Sequence, residues 1–192
     1  MGKGRLEAFS DGVLAVVITI MVLELKVPHG TELSALVPLV PVFLSYVLSF
    51  VMVGIYWNNH HHVWQTARSV NGAVLLANMH LLFWLSLFPF VTGWMGENHF
   101  ASVPAALFGV VALMSAVAYT ILVRSLIGLH GKESPLAKAI GGDSKGWISL
   151  GLYAVAIPAA FFDGVVAFGI YVLVAVIWFI PDTRIERTIA KS

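Results

Sequence analysis

The residues of this chain whose types could do chemistry lie inside apolar stretches. Glu7 and Asp11 fall in Arg5-Leu-Glu-Ala-Phe-Ser-Asp-Gly12, and His60-His-His62 and His80 fall in later segments. On a helix Glu7 and Asp11 share one face at i, i+4, where like charges repel. They therefore need donors from other helices. Such a set fits a proton relay through Asp11, His60 and His80, a metal site on the histidines, or a polar network that does no chemistry. A pH-sensitive patch is a variant of the last. A membrane di-iron centre needs more ligands than the 7 histidines supply, since His29, His99 and His130 lie in loops. No Glu-x-x-His pattern supports iron either. With 0 cysteines, disulfides, thiolate metal sites and cysteine nucleophiles are excluded. No nucleophile pair is present, so neither an enzyme nor a bound cofactor is expected.

The elements that hold these residues are membrane helices. The chain is 59% hydrophobic and 11% charged, with a mean hydropathy of +0.89. That composition belongs to a polytopic membrane protein. The net charge of +1 carries no sign of a nucleic-acid partner. The first apolar run ends in Glu-Leu-Lys-Val-Pro without a small-residue cleavage site, so it is read as part of the mature chain. Apolar runs and breakers define six expected helices at about 5–26, 36–59, 72–94, 103–126, 147–161 and 165–180. The fold class is all-α, a single six-helix transmembrane domain over 1–192. No internal repeat is evident, whereas carriers often show one.

With six spans both termini share a side. That side collects Lys3, Arg5, Arg68, Arg124, Lys132, Lys138, Lys145, Arg184, Arg187 and Lys191, against Lys26 alone on the other. The positive-inside rule then makes both termini cytoplasmic. The loops are too short for a soluble domain, so the protein works within the lipid bilayer.

The first segment organises the rest. Its uncharged run between Asp11 and Glu24 is 12 residues, too short for about 30 Å of hydrocarbon. Two readings are open. Ser10 or Asp11 could cap a helix that starts there. Alternatively the helix starts earlier and carries Glu7 and Asp11 into the membrane, turned toward protein or water. Gly12 then permits close backbone approach. Depth points to the donors. His80 lies 8 residues into the third helix, and Asn58, Asn59 and His60 close the second on the same side. All are near the depth of Ser10 and Asp11, and an inter-helix network is expected there.

Gly12, Val16, Thr19 and Leu23, with Ile20 beside them, follow helical spacing on one side. Ordinary apolar packing, with Thr19 bonded back to its own helix, accounts for such a stripe. A pore lining accounts for it as well. Asp11 stands before the stripe and Glu24 after it, and copies of Glu24 around an axis would concentrate cations at an outer mouth. Apolar rings gate by dewetting, and a ring of hydroxyls replaces part of an ion's hydration shell. No Gly-x-x-x-x-Gly-Lys loop, no Thr-Val-Gly-Tyr-Gly filter and no Arg-rich voltage-sensor helix occur in the chain.

Arg5-x-x-x-Phe9-Ser10-Asp11-Gly12, continuing through Val16-Val-Ile-Thr19 and Leu23, resembles the first-helix signature of the transmembrane protein 175 family. Tyr56-Trp-Asn-Asn-His60, Asn78-x-His80 and Leu87-Phe-Pro-Phe-x-Thr-Gly93 are supportive. The resemblance implies a homotetramer of the bacterial, single-repeat type in a cell inner membrane. The first helices of four subunits would line a pore that passes monovalent cations, leak-like and potassium-preferring, without a carbonyl filter. It further implies an apolar constriction at Val16, with Ile20 and Leu23 further out, and a cation preference linked to Thr19. Val16 stands where the family more often has Leu or Ile. Arg5, Ser10 and Asp11 are implied to be structural.

Overall fold

The computed structural model describes residues 2–141 and 143–179. The helices are α1 (Lys3–Met21), α2 (Val40–Thr66), α3 (Gly72–Ser86), α4 (Phe88–Glu97), α5 (Ser102–His130), α6 (Pro135–Ile140), α7 (Ser144–Ala159) and α8 (Gly164–Phe179). Short 3-10 turns, Val22–Glu24 and Leu33–Leu39, extend α1 and precede α2. No strand occurs among the described residues.

Local chemistry sets several boundaries. Asn71 Oδ1 accepts the Val74 amide (2.9 Å) at the head of α3, and Asp143 Oδ1 accepts that of Gly146 (3.0 Å) at the head of α7. Such side chains satisfy amides that a helix start leaves without partners. Pro41 and Pro89 sit in first turns, where a missing amide costs least. Pro89 also explains why the expected third helix divides into α3 and α4. α5 ends at Gly131, whose φ of +89° favours glycine.

Other bounds differ from the sequence expectation. α2 runs on through the three histidines to Thr66, and α5 runs on to His130. Nothing in their polar ends breaks a helix, so the chain stays helical as it leaves the apolar zone. The short α6 lies in what reads as a loop, and Ile180, the expected end of the last helix, falls outside the described residues.

Four segments, Lys3–Glu24, Leu33–Thr66, Gly72–Glu97 and Ser102–His130, are long and apolar enough to cross a membrane. α7 and α8 have 16 residues each, about 24 Å at 1.5 Å per residue. This is a helical membrane protein, and its surface agrees: Leu76, Phe83, Phe161 and Phe162 are all exposed.

The core runs through α5. α3 and α7 pack on α5, α2 on α4, and α7 on α8. Phe88, Phe108 and Tyr171 stack through its centre, Phe88–Phe108 edge-on at 5.7 Å and Phe108–Tyr171 at 5.1 Å. Tyr171 donates to the Ala105 carbonyl (2.9 Å), so its buried hydroxyl is satisfied. α1 lies at the margin, against α2, α3 and α4.

Candidate functional site

α1 has two unlike faces. Leu6, Ser10, Leu14, Val17 and Met21 are buried against its neighbours, at i, i+4 and i+3 steps. The opposite stripe carries Arg5, Phe9, Gly12, Val16, Thr19, Ile20 and Leu23, all exposed in the single chain. Val16 is 54% and Leu23 77% exposed. A Cβ built on Gly12 would meet nothing within 4 Å. Thr19 Oγ1 donates to the Ala15 and Val16 carbonyls (2.9 and 3.0 Å). That hydrogen is committed to its own helix, while the oxygen's lone pairs stay outward.

Because α1 begins at Lys3, Ser10 and Asp11 lie within it, and the reading of either as a helix cap is overturned. The two carboxylates meet α2 running antiparallel. Trp57 Nε1 donates to Asp11 Oδ1 (3.1 Å), and Glu7 Oε1 lies 3.6 Å from His61 Nδ1. The steps of four on α1 and on α2 match, since one turn on each helix covers the same height. Trp57 and His61 stack at 6.1 Å, closing the ladder.

Behind it, buried, is a second connection. Asn78 Nδ2 lies 2.9 Å from Ser10 Oγ, and Asn78 Oδ1 lies 2.8 Å from His60 Nε2. Ser10 Oγ is also 2.8 Å from the Leu6 carbonyl, and Trp64 Nε1 donates to His60 Nε2 (2.7 Å). An indole N–H only donates, so His60 Nε2 must accept and its proton sits on Nδ1. Nδ1 is buried and has no partner among the described residues. An accepting Nε2 cannot face an accepting amide oxygen. Turning the Asn78 amide over resolves this: its N–H then faces His60 and its oxygen takes the Ser10 hydroxyl. Three helices, α1, α2 and α3, close on this knot.

The other sequence-selected residues fall elsewhere. His80 accepts from Trp84 Nε1 (2.9 Å) on its own helix and does not join the knot. Asn58 is exposed, and Asn59 faces α5, where its carbonyl accepts from Tyr119 (3.4 Å). Arg5 forms no ion pair among the described residues. No cluster of three or more His, Cys, Asp or Glu that could hold a metal occurs among them either.

At the far end of α1 the Glu24 carboxylate lies over Gly93 of α4. A Cβ there would come within 2.8 Å of Glu24 Oε2. Lys26 pairs with Glu97 at the same end. The pair holds the Lys26 ammonium above the usual lysine range, through the hydrogen bond to Glu97 first and its charge second.

Comparison with known proteins places the chain as a whole. A family model described as endosomal/lysosomal potassium channel TMEM175 matches residues 5–89, which include α1 from Arg5 on, the ladder and the knot. A potassium channel of Chryseobacterium sp. (strain P1-3) is 55% identical over 192 residues, covering 100% of both chains. The chain belongs to the TMEM175 family. It superposes with a TM-score of 0.81 on the crystal structure of a lysosomal potassium-selective channel TMEM175 homolog from Chamaesiphon minutus. The two share 28% identity, over 94% of this chain and 97% of that one. The endosomal/lysosomal proton channel TMEM175 of Gallus gallus is 29% identical over 181 residues, 84% of this chain but 36% of that protein.

For this TMEM175 member, sequence reasoning passed over Asn78, Trp57 and Trp64 as working parts of the α1 attachment. A signal existed for the tryptophans. Trp64 follows His60, and Trp84 follows His80, at the same i+4 spacing that places an indole N–H on an imidazole.

Proposed function

We propose that this TMEM175 protein is a potassium-preferring, leak-like cation channel, a homotetramer whose pore is lined by the open face of α1. The observation that carries it is the two-faced α1: one stripe is buried and held by the ladder and the knot, while Val16, Thr19, Ile20 and Leu23 are left uncovered. The names of the relatives support a channel, and the match to the Chamaesiphon minutus homolog over 97% of its length supports the same build. Val16 is the constriction, Ile20 and Leu23 widen it outward, and apolar side chains there close the path by dewetting. No carbonyl filter is required. Thr19 turns its oxygen lone pairs toward the axis and substitutes for part of the potassium ion's water shell. Glu24, seated over Gly93, gathers cations at the outer mouth. Gly12 lets the α1 helices approach at the inner end, and Ser10, Asp11, His60 and Asn78 keep the lining helix from turning, while Arg5 and Phe9 lie on its open face.

The six-helix crossing, with both termini on the cytoplasmic face of an inner membrane, follows from the charge pattern. The contacts at the helix ends support it. Lys26 and Glu97 meet beyond one end of the bundle, and His130 Nε2 accepts the Arg68 and Ser69 amides (3.0 and 3.2 Å) at the other.

The test is the reversal potential of the purified protein in a planar bilayer, with potassium on one side and sodium on the other. Reversal toward the potassium equilibrium value is expected. Thr19→Ala should shift it toward zero, and Val16→Ala should raise the current. A current that tracks only a pH gradient would support the carrier reading and overturn this one. That reading needs Asp11, His60 and His80 to act in series, whereas among the described residues His80 bonds only within its own helix.

A further inference from the structure

Between α2, α5, α7 and α8, on the side of α2 away from α1, lies a cavity of about 50 Å³. One water needs at least about 10–15 Å³ of such space, so the cavity holds about three or four non-hydrogen atoms. Asp143, at the head of α7, and Asn59 mark one end of it. Met52, two helical turns along α2 from Asn59, marks the other, with Val174 and Ala175 of α8 beside it.

Thr120 and Ser149 bond back to their own helices, but other polar groups of the lining are idle. Tyr153 is 3% exposed and lines the cavity, yet its hydroxyl has no hydrogen-bond partner among the described residues. The Tyr56 hydroxyl and the Asn59 side chain have none either. Tyr119 reaches the Asn59 carbonyl only at 3.4 Å. These polar atoms are open to the cavity rather than sealed in protein, since among the described residues only His60 Nδ1 and His62 Nδ1 are sealed without a partner. A polar group so placed is satisfied by whatever fills the space, water or a ligand. Asp143 uses Oδ1 on the Gly146 amide, which leaves Oδ2. Trp178 has its N–H on Ser149 Oγ (2.7 Å), which leaves its ring for the wall.

We propose that this cavity binds a small organic ammonium, a cationic nitrogen on a short apolar body. Aromatic rings attract a cation through their quadrupoles. Tyrosine and asparagine oxygens accept its N–H groups, and the Asp143 carboxylate balances its charge. The apolar end takes the carbon chain. Among the described residues no lysine or arginine lines the cavity, and the one carboxylate among them disfavours an anionic ligand. One carboxylate is also too few for a tightly held metal ion. The site is separate from the α1 face and stands whether or not α1 lines a pore. A free amine and the headgroup of an aminolipid share this chemistry.

The test is calorimetric titration of the full chain, purified free of lipid in detergent, with n-propylammonium and with 1-propanol as the neutral match. Saturable ammonium binding is expected, at least tenfold tighter than the alcohol. Asp143→Asn keeps the helix cap, since asparagine caps as well as aspartate, and should weaken ammonium binding at least tenfold. Tyr153→Phe keeps the ring and should weaken it at least threefold without lowering the melting temperature. In nanodiscs, phosphatidylethanolamine should raise the apparent Kd over phosphatidylglycerol if the natural occupant is a headgroup, and leave it unchanged if it is a free amine. Absence of saturable binding, equal binding of amine and alcohol, or full binding by Asp143→Asn would each overturn the proposal and leave the cavity to water.

Discussion

Replacing His60 with leucine removes the residue on which the knot depends. His60 is buried, and its Nε2 receives the Trp64 indole N–H at 2.7 Å and faces Asn78 at 2.8 Å. Leucine fills similar space but leaves the indole N–H and one Asn78 amide group without partners. A stranded buried group costs about 1–3 kcal/mol, and inter-helix bonds in membranes average about 0.6 kcal/mol. With two such groups the expected loss is about 2–6 kcal/mol. Asn78→Leu is the informative comparison. It removes two contacts but strands nothing: Ser10 falls back on the Leu6 carbonyl (2.8 Å) and Trp64 keeps Nε2. Two bonds at the membrane average come to about 1 kcal/mol. His60→Leu should thus cost at least twice as much as Asn78→Leu. Reversible unfolding of the purified protein by sodium dodecyl sulfate in mixed micelles, followed by tryptophan fluorescence, measures both. Equal losses, or a larger loss for Asn78→Leu, would refute the assignment of His60 Nε2 as the shared acceptor.

Three further outcomes follow from other contacts. Gly164→Ala would put a Cβ 1.7 Å from the Phe100 carbonyl oxygen, a backbone atom. The α7–α8 turn must shift, at about 1–3 kcal/mol, and an unchanged thermal transition would show that the turn does not pack this closely. Glu24→Gln should lower single-channel conductance in about 10 mM potassium and leave it unchanged near 1 M, because the screening length falls from about 30 Å to about 3 Å. An equal loss at both salts would remove Glu24 from the mouth. The fully exposed Lys26 is held above the usual lysine value of 10.5 by Glu97. A raised folded-state value means the pair's contribution is present below that pH and lost as pH rises through the folded value. Stability should therefore fall above pH 10.5 in the parent and less steeply in Glu97→Gln, as measured by thermal unfolding against pH.

The amino-acid sequence determined by itself that this is a helical membrane protein, which follows from length and apolarity against bilayer thickness, a one-dimensional comparison. It left the start of the first helix open between Ser10 and an earlier residue, and the structure set it at Lys3. The sequence also set the depth at which Ser10, Asp11, Asn58, Asn59, His60 and His80 lie, because rise along an axis follows from residue count. Only the tertiary structure decided which of them meet. A helix turns by about 100° per residue, so neighbours at one depth point in different directions. Ser10 is buried in the knot while Asp11, one step on, reaches Trp57 at the rim. Asn78 takes His60 while His80, about 200° round the same helix, is left with Trp84. Asn58 is exposed, Asn59 turns to α5 and His60 to α3. The rotation of each helix about its own axis is set by the packing of all its neighbours together, and no single segment of sequence carries that information.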